Sequence, residues 1–205
     1  PKIKFLDRYR KRRSPQKAVR DHLIIAICFL LMIVGVGYFM TSKDTPLPIK
    51  TETVQSPYTK SGDSELLNNI YARLDTSYKN KDEEEECQLV AAYFVCDYYT
   101  FVDKKKNEIG GVDYMYPEMV ENFSQYAQTS FYSYKNQYPE LEVLKYNIIS
   151  YSPSKVTIAG LEDNDYYNIL ISLTFNEEIE GFSSTVNVTV VRVEDRYYVC
   201  GLDNA

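Results

Sequence analysis

Eighteen consecutive residues without a charge, "LIIAICFLLMIVGVGYFM" from Leu23 to Met40, constrain this chain more than any other stretch. As a helix they rise about 27 Å, close to the roughly 30 Å hydrocarbon core of a bilayer. A core helix of a soluble domain usually keeps a polar face, and this run has none. A cleaved signal peptide has a shorter apolar region and a small-residue cleavage site, which "GVGYFMTSKD" does not offer. The run is therefore read as an uncleaved membrane span.

The residues in front of the span set its orientation. Residues 1–20 hold Lys2, Lys4, Arg8, Arg10, Lys11, Arg12, Arg13, Lys17 and Arg20 against Asp7 alone. Basic residues this close to a span stay on the cytoplasmic side, so the N terminus is expected inside and residues 41–205 outside. Arg8, Arg10, Lys11, Arg12, Arg13, Lys17 and Arg20 are thus topology residues, free also to meet anionic lipid head groups or a cytoplasmic partner. Direct nucleic-acid binding is not expected, because aromatic interleaving stops at Tyr9 and the rest of the chain is acidic. The whole chain carries −6 and its first twenty residues +8, so the remaining 185 carry −14.

The expected organisation is a basic cytoplasmic tail at 1–22, the span at 23–40, a Ser/Thr/Pro-rich linker at 41–62 and an extracellular α+β domain at 63–205. Within that domain Leu66, Leu67, Ile70, Tyr71, Leu74 and Tyr78 repeat at helical spacing, and Val90, Ala91, Phe94, Val95, Tyr98, Phe101 and Val102 do so again. The second helix opens on four glutamates, read as a solvated first turn, closes on Lys104, Lys105 and Lys106, and is expected to stop at Gly110-Gly111. Pro117 is placed at the first position of a third helix, striped by Val120, Phe123, Ala127, Phe131 and Tyr134.

Beyond Pro139 the period changes to two. "YYNILISLTF" and "STVNVTVVRV" alternate as half-buried strands, "LEVLKYNIISY" and "SKVTIAGLE" are expected earlier strands, and "RYYVCGL" a last one after the Glu194-Asp195-Arg196 turn. Three helices packed on an antiparallel sheet of four or five strands follow.

Motifs for catalysis are missing. His22, the one histidine, sits at the membrane boundary, which excludes His-dependent triads and His-containing zinc sites from the exported domain. Cys87 and Cys96 fall on opposite sides of one helix, so they do not suit a mutual bridge, while a bridge from either to Cys200 stays open. No catalytic, cofactor or metal residue is assigned. Asp97 is the carboxylate to follow: an exposed or capped helical residue is the ordinary expectation, and burial beside Cys96 and Tyr98 would raise its pKa. Twenty tyrosines without a tryptophan suit aromatic contact surface with polar tips. The residues assigned to an interaction surface or pocket are Asp97, Tyr98, Tyr114, Tyr116 and Tyr126.

The order of basic tail, span, linker, helices and closing hairpin, with "AAYFVCDYYTF" (91–101), "MVENFSQYAQTSFYSY" (119–134) and "VTVVRVEDRYYVCGL" (188–202), resembles the nuclear transport factor-like (cystatin-like) cone. More narrowly it resembles the VirB-eight-like bitopic components of conjugative type IV secretion systems, including the TcpC and PrgL types. That resemblance implies a curved sheet and a non-enzymatic scaffold in a DNA-transfer channel. It also implies self-association into a homo-oligomer and binding to other membrane and channel subunits, with no cofactor. An envelope or export accessory role, or ligand binding, on the same fold is the alternative.

Overall fold

The structure, a computed structural model, describes residues 55–180 and 182–204. The basic tail, the predicted span and residues 41–54 of the linker lie outside them. No helix among the described residues is long and apolar enough to cross a membrane.

The architecture is α+β, three helices on a four-stranded antiparallel sheet. Helix α1 spans Glu65–Asn80; the Ser64 side chain caps it by accepting from the Leu67 amide, and Lys81 ends it at φ +57°. Its buried residues, Leu67, Ile70, Leu74 and Ser77, step by three and four along one face. Helix α2 spans Glu83–Tyr98, capped by Asp82. Twelve of its sixteen residues are buried, so α2 has no solvent side beyond its first turn and forms the centre of the domain. Helix α3 spans Val120–Thr129.

Strands β1 (Val143–Pro153), β2 (Tyr166–Phe175), β3 (Thr185–Val193) and β4 (Arg196–Asn204) form a meander in the order β1-β2-β3-β4. Every neighbouring pair is antiparallel. Ile169, Ile171, Leu173, Val186, Val188, Val190 and Val199 are buried within the main core, α2 contacting all four strands. Glu194, at φ +57°, makes the β3–β4 turn where the sequence placed it.

Four expectations are corrected. Helix α2 ends at Tyr98, not at the glycines, because Phe101 is drawn to the sheet: its amide donates to Leu141 O at 2.8 Å, and Thr100 Oγ1 bridges Cys96 O and the Val143 amide. Phe101, Val102 and Lys104–Lys106 therefore lie in the following loop. The third helix begins at Val120, Pro117 instead opening a short 3₁₀ turn over Pro117–Met119, and Phe131 and Tyr134 fall in another over Phe131–Tyr134. The segment "SKVTIAGLE" is no strand. It loops over the far face of the sheet, where Ile158 and Leu161 cover Tyr166, Val191 and Cys200, and the Tyr166 hydroxyl donates to Leu161 O. That leaves four strands.

The predicted linker also ends earlier than residue 62. Tyr58 is buried in the main core, so residues 57–63 belong to the folded domain as a strap laid against α2.

Candidate functional site

The strap is held by one face of α2. Glu86, Tyr93 and Asp97 are separated by seven and then four residues, which at 100° per residue aligns them within about 40°. The rise from Glu86 to Asp97 is about 16 Å, and three residues from Tyr58 to Ser61 cover at most about 10 Å. The long Tyr58 side chain closes the difference. Its hydroxyl donates to Glu86 Oε1 at 2.5 Å and accepts from the Tyr197 amide at 3.0 Å. At the other end Ser61 Oγ donates to Asp97 Oδ2 at 3.0 Å. Between them the Tyr93 hydroxyl accepts from the Ser61 amide and donates to Ser61 O, and the Tyr114 hydroxyl donates to Thr59 O at 2.8 Å.

The rings behind these hydroxyls stack. Tyr58 and Tyr114 lie 5.8 Å apart at 5°, and Tyr114 and Tyr93 4.4 Å apart at 23°. The Arg196 guanidinium sits over Tyr58 and over Tyr198, at 5.0 and 4.6 Å, and donates to Pro57 O and Asp113 O.

Asp97 is only 1 % exposed. Besides Ser61 it takes Lys104 Nζ at 2.5 Å and the Gly111 amide at 2.6 Å. The exposed helical aspartate of the ordinary sequence expectation is thus replaced by a buried carboxylate with three donors. The glycines permit this: a Cβ on Gly110 would sit 2.1 Å from Asp97 O, and Gly111 holds φ +77°. The Gly110 amide donates to the Tyr132 hydroxyl, which donates in turn to Tyr98 O, so the loop is pinned along the end of α2.

The five surface residues named from the sequence do not form one site. Asp97 and Tyr114 both hold the strap. Tyr98 is buried and lines a separate cleft with Tyr126, which is 66 % exposed. Tyr116, half-buried, packs edge-on to Tyr198. The topology residues Arg8 to Arg20 lie outside the described residues. Cys87, Cys96 and Cys200 are free and buried. Burial pushes all three thiols up, Cys200 to about 12, so they act as small apolar side chains. Among the described residues no group of His, Cys, Asp or Glu side chains is arranged to hold a metal.

Neither family models, nor curated proteins, nor solved structures show a relative of this chain.

Sequence reading missed the strap and Glu86. The signal was there: Tyr58 is the one aromatic residue in 41–64, and Glu86 shares a helix face with Asp97. Glu86 is not part of a solvated first turn but buried, while Glu83 and Glu85 pair with Arg192 and Arg73. Desolvation raises the Glu86 pKa; the Tyr58 hydrogen bond and the Arg192 charge oppose the rise without cancelling it. A carboxyl with a raised folded-state pKa binds its proton more tightly in the folded protein. Its contribution is therefore fully present below the unfolded value and declines as pH rises through the window opening just above the ordinary 4.5. Glu86→Gln should remove this component. The difference in urea midpoint between variant and parent is expected to move in the variant's favour from pH 4 to pH 7, and a pH-independent difference would refute the assignment.

Proposed function

We propose that this protein is a non-enzymatic, membrane-anchored scaffold of a conjugative type IV secretion channel. Residues 23–40 anchor it in the cell membrane with the N terminus inside. Its α+β domain is a nuclear transport factor-like cone that self-associates and binds other channel subunits from the outer side.

The observation that carries this reading is the strap. The chain arriving at the domain is fastened into it by Pro57, Tyr58, Thr59 and Ser61, through bonds to α2, Tyr114 and Arg196. A scaffold domain needs a defined point of entry for the chain that carries it, and the strap supplies one. The same contacts argue against acid–base work. The polar atoms of Asp97 and of the nearby Tyr114 are engaged by Ser61, Lys104, Gly111 and Thr59, which supports a structural use for both.

The reading is tested by crosslinking a tagged full-length chain in its native cells, extracting it in detergent and identifying what co-purifies by mass spectrometry. A secretion ATPase and polytopic channel subunits are expected. Recovery of cell-wall or unrelated export proteins without transfer components would overturn it.

A further inference from the structure

At the opposite end of β4 from the strap, two clefts adjoin and share Phe182. One, of about 390 Å³, lies between α3 with its following turn and the last residues of β4; Tyr98, Tyr99, Tyr126, Tyr134 and Asp203 line it. The other, of about 810 Å³, has Tyr138, Phe175 and Ile179 for its apolar part and Glu177, Glu178 and Glu180 beside them. No Lys, Arg or His lines either cleft. Among the described residues none of those three glutamates, nor Asp203, is in an ion pair.

A second observation points to a ligand. Tyr99 is 2 % exposed, its ring set against Phe131, Phe175 and Phe182, and the little surface it keeps lies in the wall of the smaller cleft, where its hydroxyl has no hydrogen-bond partner among the described residues. Tyr58, Tyr93, Tyr114 and Tyr132 use theirs to hold other segments of the fold, whereas that of Tyr99 is left to the cleft. A hydroxyl held rigidly in a cleft wall with no protein partner is free to donate to a bound chain.

We propose that the double cleft binds an extended basic segment of a partner protein. A backbone carbonyl of that segment accepts from Tyr99, its apolar side chains lie on the aromatic floor, and its Lys or Arg residues meet Glu177, Glu178, Glu180 and Asp203. Aromatic grooves suit extended, often Pro-containing chains, which lose little conformational entropy on binding. The charge decides the partner. Nucleic acid would set phosphate against four carboxylates, and a second copy would bring its own acidic body, −14 outside the first twenty residues.

This deepens the scaffold reading by naming a partner chemistry, and rests on that reading for its biological setting. The test is fluorescence anisotropy of the full-length chain in detergent micelles with a fluorescein-labelled peptide of repeated Lys-Leu-Pro units, beside the same repeat with Glu for Lys. The Lys peptide is expected to bind, more weakly as salt rises, and the Glu peptide not to. Glu177→Gln, Glu178→Gln and Glu180→Gln together should weaken binding about tenfold, and Tyr99→Phe about fivefold. A matched triple at the exposed Glu65, Glu118 and Glu121 should leave it unchanged. Absence of binding, equal binding of both peptides, or equal loss from either triple would overturn the proposal. Such a failure with channel subunits still recovered by crosslinking removes this surface and leaves the scaffold; peptide binding with unrelated proteins recovered does the reverse.

Discussion

Asp97→Ala is expected to lower the unfolding free energy by about 3–5 kcal/mol and the thermal midpoint by roughly 10 °C, read by circular dichroism on the full-length chain. The change strands three donors at once. Lys104, whose side chain is 7 % exposed, loses its only anionic partner among the described residues, and the Gly111 amide and Ser61 hydroxyl lose their acceptor. A buried ion pair contributes little by itself, because desolvation offsets its attraction, but half of one is costly. The double variant Asp97→Asn with Lys104→Met should therefore recover a large part of the loss: no unpaired charge remains, and the Asn carbonyl can still accept from Gly111. A loss below about 1 kcal/mol in the single variant would show that the carboxylate does not clasp loop, helix and strap together.

That clasp marks where the sequence stops being legible. β2 and the first halves of β3 and β4 could be read because a buried face and a more exposed one impose a period of two on adjacent residues. α1 could be read for the analogous reason. The end of α2 could not: Phe101 and Val102 continue the helical spacing, and only the bond from Phe101 to Leu141, forty residues on, removes them from the helix. "SKVTIAGLE" alternates like a strand because Ile158 and Leu161 do have a buried side, but they cover the sheet instead of joining it. Asp97 was singled out for its apolar neighbours. Its partners Ser61, Lys104 and Gly111 come from three separate segments, and no local pattern encodes their meeting. Apart from Asp97, the interaction residues share only a residue type, tyrosine, and the structure divides them between the strap, the aromatic cleft and the contact with Tyr198.

The strap makes the second large prediction. Tyr58→Ala should destabilise the domain by about 3–5 kcal/mol, as removal of a large buried ring does, whereas Tyr58→Phe should cost about 1–3 kcal/mol. The two variants separate two functions of one side chain. Alanine removes the ring stacked on Tyr114 and beneath Arg196 and also leaves Glu86 and the Tyr197 amide without their partner; phenylalanine does only the latter. Hydrogen exchange tells whether the strap is fastened at one end or two. In the parent the Ser61 amide, bonded to the Tyr93 hydroxyl, should exchange only when the whole domain opens. In Tyr58→Ala it should exchange well before the β2–β3 amides, since the strap then hangs from Asp97 and Tyr93 alone. If Ser61 instead keeps full protection, the Asp97 end holds the strap unaided and Tyr58 is a core residue like any other. Early release on losing the ring would mean that the chain leading into this domain is held at two points about three helical turns apart, which fixes direction as well as position, and a single point of attachment cannot do that.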